Sequence, residues 1–268
     1  MTAEWLLENL ARREVVVVDC RFVLGSPGAG LLAWREGHIP GARFLDVDTD
    51  LSAPPGEGRH PLPDAGAFAA AATGAGIGPE SLVVAYDEAG EGGAARLWWL
   101  LRHFGHDRVA VLDGGLRGWR VDGGPVDDLP PRAEPGVEPF APRARDGDTA
   151  DADEVAARLG DESLALVDAR AEERFRGEVE PVDPVAGHIP GARSVPFASL
   201  APEGRFRPAA ELRAALEPEE GQELVAYCGS GITASSLVLA AEVAGLDARL
   251  YPGSWSDWCA RGLPVARG

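Results

Sequence analysis

The sequence contains no lysine: all 25 of its basic residues are arginine, set against 43 acidic ones. That absence excludes any chemistry needing a lysine amine, such as a Schiff base or a phosphate-binding loop lysine. The resulting net charge of −18 argues against partners that are themselves polyanions, so neither nucleic acid nor an anionic membrane surface is expected. An anionic small molecule would depend on a locally positive site. Cysteine is scarce too. Cys20, Cys228 and Cys259 form an odd set with no CxxC pair and no Cys/His spacing of zinc type, which predicts no metal site and a reducing compartment. No apolar run approaches the ~18 residues of a membrane span. The opening Met1 to Leu10 carries Glu4 and Glu8 without a basic cluster, which reads as a surface helix rather than a secretory leader. The expected location is the cytoplasm.

What the chain does have is room and a repeat. At 268 residues, with 45% hydrophobic and 25% charged side chains, it can build two ordinary domains. Gly37-His38-Ile39-Pro40-Gly41-Ala42-Arg43 recurs 150 positions later as Gly187-His188-Ile189-Pro190-Gly191-Ala192-Arg193. Upstream of each copy stands an apolar strand ending in Asp-x-Arg, Val15 to Arg21 and Leu164 to Arg170. Downstream, Ser81 to Asp87 answers Glu223 to Cys228, and Val109 to Gly115 answers Ala248 to Gly253. Between these strands lie alanine-rich helical stretches: 65–75 and 94–104 in the first half, 153–159, 209–216 and 235–244 in the second. Strand–helix alternation predicts an α/β fold duplicated in tandem, each copy a mainly parallel sheet with helices on both faces. The expected division is a first domain over 1–130, a Pro/Gly-rich linker over 131–147 and a second domain over 148–268.

The chemistry concentrates in Cys228-Gly229-Ser230-Gly231-Ile232-Thr233-Ala234. An apolar strand, Leu224 to Tyr227, enters this stretch and a helix leaves it. The glycines let successive amide N–H groups converge on one point, and the helix N-terminus adds partial positive charge. Both effects favour thiolate over thiol. An alternative reading, a small cysteine packed beside a glycine turn, applies to most cysteines but does not explain the strand–Cys–Gly-x-Gly–helix order. Asp87 stands where the first half would place its own cysteine.

Two such halves, with GHIPGA in each and CGSGITA in the second, resemble the two-domain rhodanese-type sulfurtransferases, the thiosulfate and 3-mercaptopyruvate enzymes. The most specific parts are Asp168-Ala169-Arg170, Arg174 to Gly177, Glu180-Pro181, Gly187 to Arg193 and the cysteine loop. The resemblance implies tandem rhodanese-like domains, a degenerate first and a catalytic second. It implies that Cys228 takes the outer sulfur of a small-molecule donor as a persulfide and passes it to a thiol, cyanide or thioredoxin-like acceptor, with no metal or organic cofactor. The N–H groups of Gly229, Gly231, Ile232, Thr233 and Ala234 would surround the departing anion, with Thr233 capping the helix. Ser230 would assist proton transfer, with His38 as candidate support, although Gly28 to Arg35 offers no aspartate to hold that histidine. His38 has a competing structural reading, because His188 occupies the same place in the other half. Arg174 would grip the donor's anion; a surface ion pair with Glu172, Glu173 or Glu178 is its alternative. The mercaptopyruvate enzymes carry a second arginine nine residues on, where this chain has Asp183, so the uncharged loop points to 3-mercaptopyruvate and the missing arginine to thiosulfate.

Three further readings complete the set. Cys20 and Cys259 are expected as packed thiols, and Trp98, Trp99, Trp119, Trp255 and Trp258 as packing side chains. A Cys-dependent phosphatase needs an arginine six residues after the cysteine, where Ala234 stands. A sulfur carrier that delivers its persulfide only to a protein partner is the non-enzymatic alternative.

Overall fold

The computed structural model describes residues 1–56, 58–131 and 137–268. It divides into two compact units: Met1–Ala53 with Leu62–Arg145 and Glu203–Arg205, and Pro54–Pro61 with Asp146–Pro202 and Phe206–Gly268. The first carries α1 (Ala3–Asn9), β1 (Val15–Asp19), α2 (Ala29–Glu36), β2 (Arg43–Phe44), α3 (Ala65–Gly74), β3 (Leu82–Tyr86), α4 (Gly93–His103), β4 (Val109–Val111) and α5 (Gly115–Val121). The second carries α6 (Ala152–Ala157), β5 (Leu164–Asp168), α7 (Glu172–Phe175), β6 (Arg193–Ser194), α8 (Phe197–Leu200), α9 (Ala209–Leu216), β7 (Glu223–Tyr227), α10 (Ile232–Val243), β8 (Arg249–Leu250) and α11 (Ser254–Ala260).

Among the described residues each unit has one four-stranded sheet, ordered β2-β1-β3-β4 and β6-β5-β7-β8, with every neighbouring pair parallel. Parallel strands buried on both faces read as continuous apolar runs, which is why Val15 to Val18 and Leu224 to Tyr227 announce themselves. The register repeats as well: Asp19 pairs with Tyr86 and Asp168 with Tyr227. Behind β3 and β7 run α4 and α10, helices buried on nearly every side. The core of the first unit gathers Val17, Val84, Tyr86, Leu116 and Trp119, that of the second Leu166, Val225, Tyr227, Trp255 and Trp258. Trp119 and Trp258 donate their indole N–H groups to proline carbonyls, those of Pro125 and Pro264, both at 2.7 Å, and Trp255 donates to the Val185 carbonyl at 2.9 Å. Trp98, Trp99 and Cys20 are buried as well.

The repeated motifs share one architectural job. Arg21 forks onto Asp19 and donates to the carbonyl of Gly37 at 2.8 Å; Arg170 forks onto Asp168 and donates to that of Gly187 at 2.7 Å. The N–H groups of Ile39 and Ile189 donate to the buried hydroxyls of Tyr86 and Tyr227, each at 3.2 Å. The GHIPGA turn is thereby fixed against the central strands in both units.

Two boundaries differ from the expected division. The N–H of Phe140 donates to Thr73 Oγ1 at 3.0 Å and the ring is buried, while Arg143 and Arg145 donate backbone N–H bonds to Phe104 and His103. The far end of the expected linker is therefore part of the first unit; 132–136 lie outside the described residues. In the other direction Pro54–Pro61 leaves the first half, tied into the second unit by side chains described next. Helix α10 also begins three residues before the expected Ser235, because Gly231 turns the chain directly into it.

Candidate active site

Cys228 follows the last residue of β7, and its loop is seated on the turn into α11. The Cys228 N–H donates to Ser254 Oγ at 3.1 Å, while Trp255 and Ser256 donate N–H bonds to the carbonyls of Cys228 and Gly229. Ser254 holds this post with φ 54, an uncommon backbone for a residue with a Cβ and the kind of strain that collects at working sites. Gly231 closes the loop at φ 82, where an added Cβ would lie 2.4 Å from the Pro252 carbonyl oxygen, so only glycine fits. That conformation aims the Gly231 N–H at Cys228 Sγ, 3.2 Å away. The cap of α10 is Gly231 itself; Thr233 is the second helical residue and does not cap, correcting the expectation.

Around the thiol the second unit assembles three further groups. Ser230 Oγ stands 2.7 Å from His60 Nδ1, both side chains buried. Arg174, at the end of α7, donates to Glu180 Oε1 at 2.7 Å and to Asp183 Oδ2 at 3.3 Å. Arg59 makes an ion pair with Asp183, and its backbone N–H donates to Ser256 Oγ at 3.1 Å. Both guanidinium groups reach the residue after the thiol: a Cβ on Gly229 would meet Arg59 Nη2 at 2.9 Å and Arg174 Nη1 at 3.6 Å. Burial opposes ionisation of Glu180, but bonds from Arg174 and from the N–H groups of Asp183 and Val182 outweigh it and hold the carboxyl below its ordinary value. Burial pushes the Asp183 carboxyl up, with Arg59 pulling against it.

A thiol sulfur at a strand end, an N–H donor on it, a Ser–His pair and cationic groups suit chemistry on an anionic sulfur compound. The family model for the rhodanese-like domain matches this chain twice, at residues 2–122 and 151–261. The chain belongs to the two-domain rhodanese-type sulfurtransferases. A Pseudomonas aeruginosa protein named "Probable 3-mercaptopyruvate sulfurtransferase" is 45% identical over 96% of this chain and 94% of its own. SseB of Mycobacterium tuberculosis, which carries a thiosulfate sulfurtransferase name, is 41% identical over 95% of this chain and 91% of its own. The crystal structure of SseA from Escherichia coli, described as the rhodanese fold of 3-mercaptopyruvate sulfotransferases, aligns with a TM-score of 0.82 at 32% identity, covering 95% of this chain and 98% of that one.

Within this sulfurtransferase the sequence-selected residues separate into two groups. Cys228, Gly229, Ser230, Gly231 and Arg174 converge, with Ile232, Thr233 and Ala234 forming the first turn behind them. His38 belongs to the other unit, where its ring stacks on Trp34 and its nitrogens lie 2.7 Å from the Trp34 carbonyl and 3.1 Å from that of Leu129. His188 is built in the same way, stacked on Phe175 with Nδ1 2.8 Å from its carbonyl. The histidine that stands on Ser230 is His60, not His38. Sequence reading passed over both His60 and Arg59. Their one signal is that Arg59-His60-Pro61 lies in a stretch between the GHIPGA copy and the helix preceding the central strand, α3 or α9, that is six residues longer than its counterpart, 43 to 65 against 193 to 209. Cys259 is half-buried with Sγ 4.0 Å from the Val185 carbonyl, and burial raises its thiol to about 11.

Proposed function

We propose that this sulfurtransferase carries sulfur on Cys228, taking it from 3-mercaptopyruvate or thiosulfate and handing it to a small thiol, cyanide or a thioredoxin-like dithiol. The sulfur of Cys228 attacks the donor's outer sulfur. With thiosulfate the S–S bond breaks and sulfite leaves; with 3-mercaptopyruvate the C–S bond breaks and the thiol proton ends on the carbon that becomes the methyl group of pyruvate. Both leave a cysteine persulfide, which the acceptor's nucleophile cleaves to restore the thiolate. Gly231 N–H donates to the attacking sulfur, and Arg174 holds the donor's anion.

The single observation that carries this reading is the contact of Ser230 Oγ with His60 Nδ1 beside a thiol that accepts the Gly231 N–H. It also favours 3-mercaptopyruvate. Sulfite departs as a stable anion and needs no proton, whereas a carbon leaving group does, and a Ser–His pair is a means of moving one. A cytoplasmic setting is supported by three cysteines that are all free thiols, and the net charge of −18 disfavours nucleic-acid and membrane partners. No helix among the described residues is long and apolar enough to cross a membrane. Intact-mass measurement after exposure to each donor tests the proposal: a gain of about 32 Da, one sulfur atom, is expected on the wild-type chain and not on Cys228→Ser. Gain of the same mass by the serine variant would move the sulfur elsewhere and refute it.

A further inference from the structure

The position nine residues after Arg174 is Asp183, and a carboxylate cannot hold an anionic donor. The structure brings another cation to that place. Arg59 meets Asp183 through one face of its guanidinium, leaving Nη2 turned toward Gly229 and Nε buried with no hydrogen-bond partner. A buried guanidinium donor without an acceptor is costly to leave unpaired. Asp183 touches both arginines and Glu180 anchors Arg174, so two carboxylates hold two guanidinium groups at fixed positions beside the reactive loop. Asp183 is 3% exposed at the side chain, whereas Arg59 and Arg174 are 25% and 18% exposed. The carboxylates are sealed beneath and the cations face outward.

We infer that Arg59 is the second half of the donor's anion-binding clamp, paired with Arg174, and that Asp183 orients it. The ligand class is an oxyanion group bonded directly to the transferable sulfur or separated from it by two carbons, the sulfonate group of thiosulfate or the carboxylate of a mercapto-keto acid. Two convergent planar forks favour such groups over single-point charges. The inference rests on the reaction proposed above.

Steady-state kinetics of Arg59→Gln and Arg59→Lys, with 3-mercaptopyruvate, thiosulfate and the uncharged donor dimethyl trisulfide, test it. Loss of a charge-assisted clamp should raise KM for both anionic donors about 10- to 100-fold in the glutamine variant, with kcat changed less than about threefold. The lysine variant should recover part of the loss. Dimethyl trisulfide should react with the wild type and both variants at rates within about threefold of each other. Equal losses for charged and uncharged donors would show that Arg59 merely holds its segment in place, and unchanged KM would show that it does nothing to the donor; either overturns the inference alone. Failure of the wild-type chain to gain a persulfide from either anionic donor would overturn the underlying reaction as well; dimethyl trisulfide, which leaves a methyl-capped adduct on the cysteine and releases methanethiolate, serves only as the uncharged comparison.

Discussion

The loops after β3 and β7 leave the same position in two separate, like-ordered sheets and differ in what they hold. After β7, Gly231 caps the next helix three residues beyond Cys228; after β3, Gly92 caps it five residues beyond Asp87, and both glycines are left-handed. In the second unit the Gly231 N–H reaches a sulfur. In the first, the N–H groups of Gly90, Gly92 and Ala94 converge on the Asp87 carboxylate at 2.7, 3.0 and 3.3 Å. A turn that directs backbone N–H groups at the residue after the strand is therefore present twice, with three donors on a carboxylate in the first unit and one on a sulfur in the second. Burial raises the Asp87 carboxyl to about 7, Glu91 adds to the rise, and the three N–H donors pull against it. The turn belongs to the strand–loop–helix geometry; the proposed reagent, Cys228, is one residue placed in it.

The largest expected effect comes from removing that reagent. Cys228→Ser should bring sulfur transfer to background while circular dichroism stays unchanged, and Asp87→Ser should leave turnover in place; comparable activity losses in the two variants would erase the distinction between the loops. Next, His60→Ala should lower kcat with 3-mercaptopyruvate by about 10²- to 10⁴-fold, the usual worth of a proton-transfer group, and affect thiosulfate less. His38→Ala should instead cost about 1–3 kcal/mol of stability through its lost carbonyl partners, read by thermal melting, with kcat within a few-fold of wild type.

A third test uses pH. Because the folded-state value of Asp87 lies above the ordinary 3.8, the native chain binds more protons than the unfolded one between about pH 4 and 7. Stability must then fall as pH rises through that window and stay low above it, by roughly 4 kcal/mol at most. Asp87→Asn should flatten this slope, so its melting temperature relative to wild type should be higher at pH 8 than at pH 5; parallel profiles would mean the aspartate is not the titrating group. The smallest expected effect is that of Cys259→Ala. A thiol raised to about 11 stays protonated at neutral pH, so turnover should change less than about twofold.

Much of this was legible in the residues because duplication writes the fold twice. The strands around Val17 and Val225, the Asp-x-Arg forks and the GHIPGA turns stand out as matched pairs, and Cys228 stands out because its match, Asp87, breaks the pattern. The same symmetry misdirected the search for the histidine. His38 drew notice by being repeated, yet repetition marks a shared structural task, and both copies are stacked and bonded to carbonyls. His60 has no copy and meets Ser230 across 170 positions of sequence, a separation that no local spacing rule spans. Arg59 was hidden for the same reason, since it pairs with Asp183 across 124 positions. The expected linker misled for a simpler reason: proline and charge between Val137 and Arg145 suggested open chain, while Phe140 is buried in the first unit.

The segment Pro54–Pro61 leaves the half of the gene in which it is encoded and lodges in the other. Anyone trimming this enzyme to its cysteine-bearing half would keep Cys228 and discard His60 and Arg59, which the structure groups with it. The sister copy is thus no appendage to be pruned without cost: its stretch of chain carries a strap built into the other unit, so the boundary between the folded units is not a single cut in the sequence.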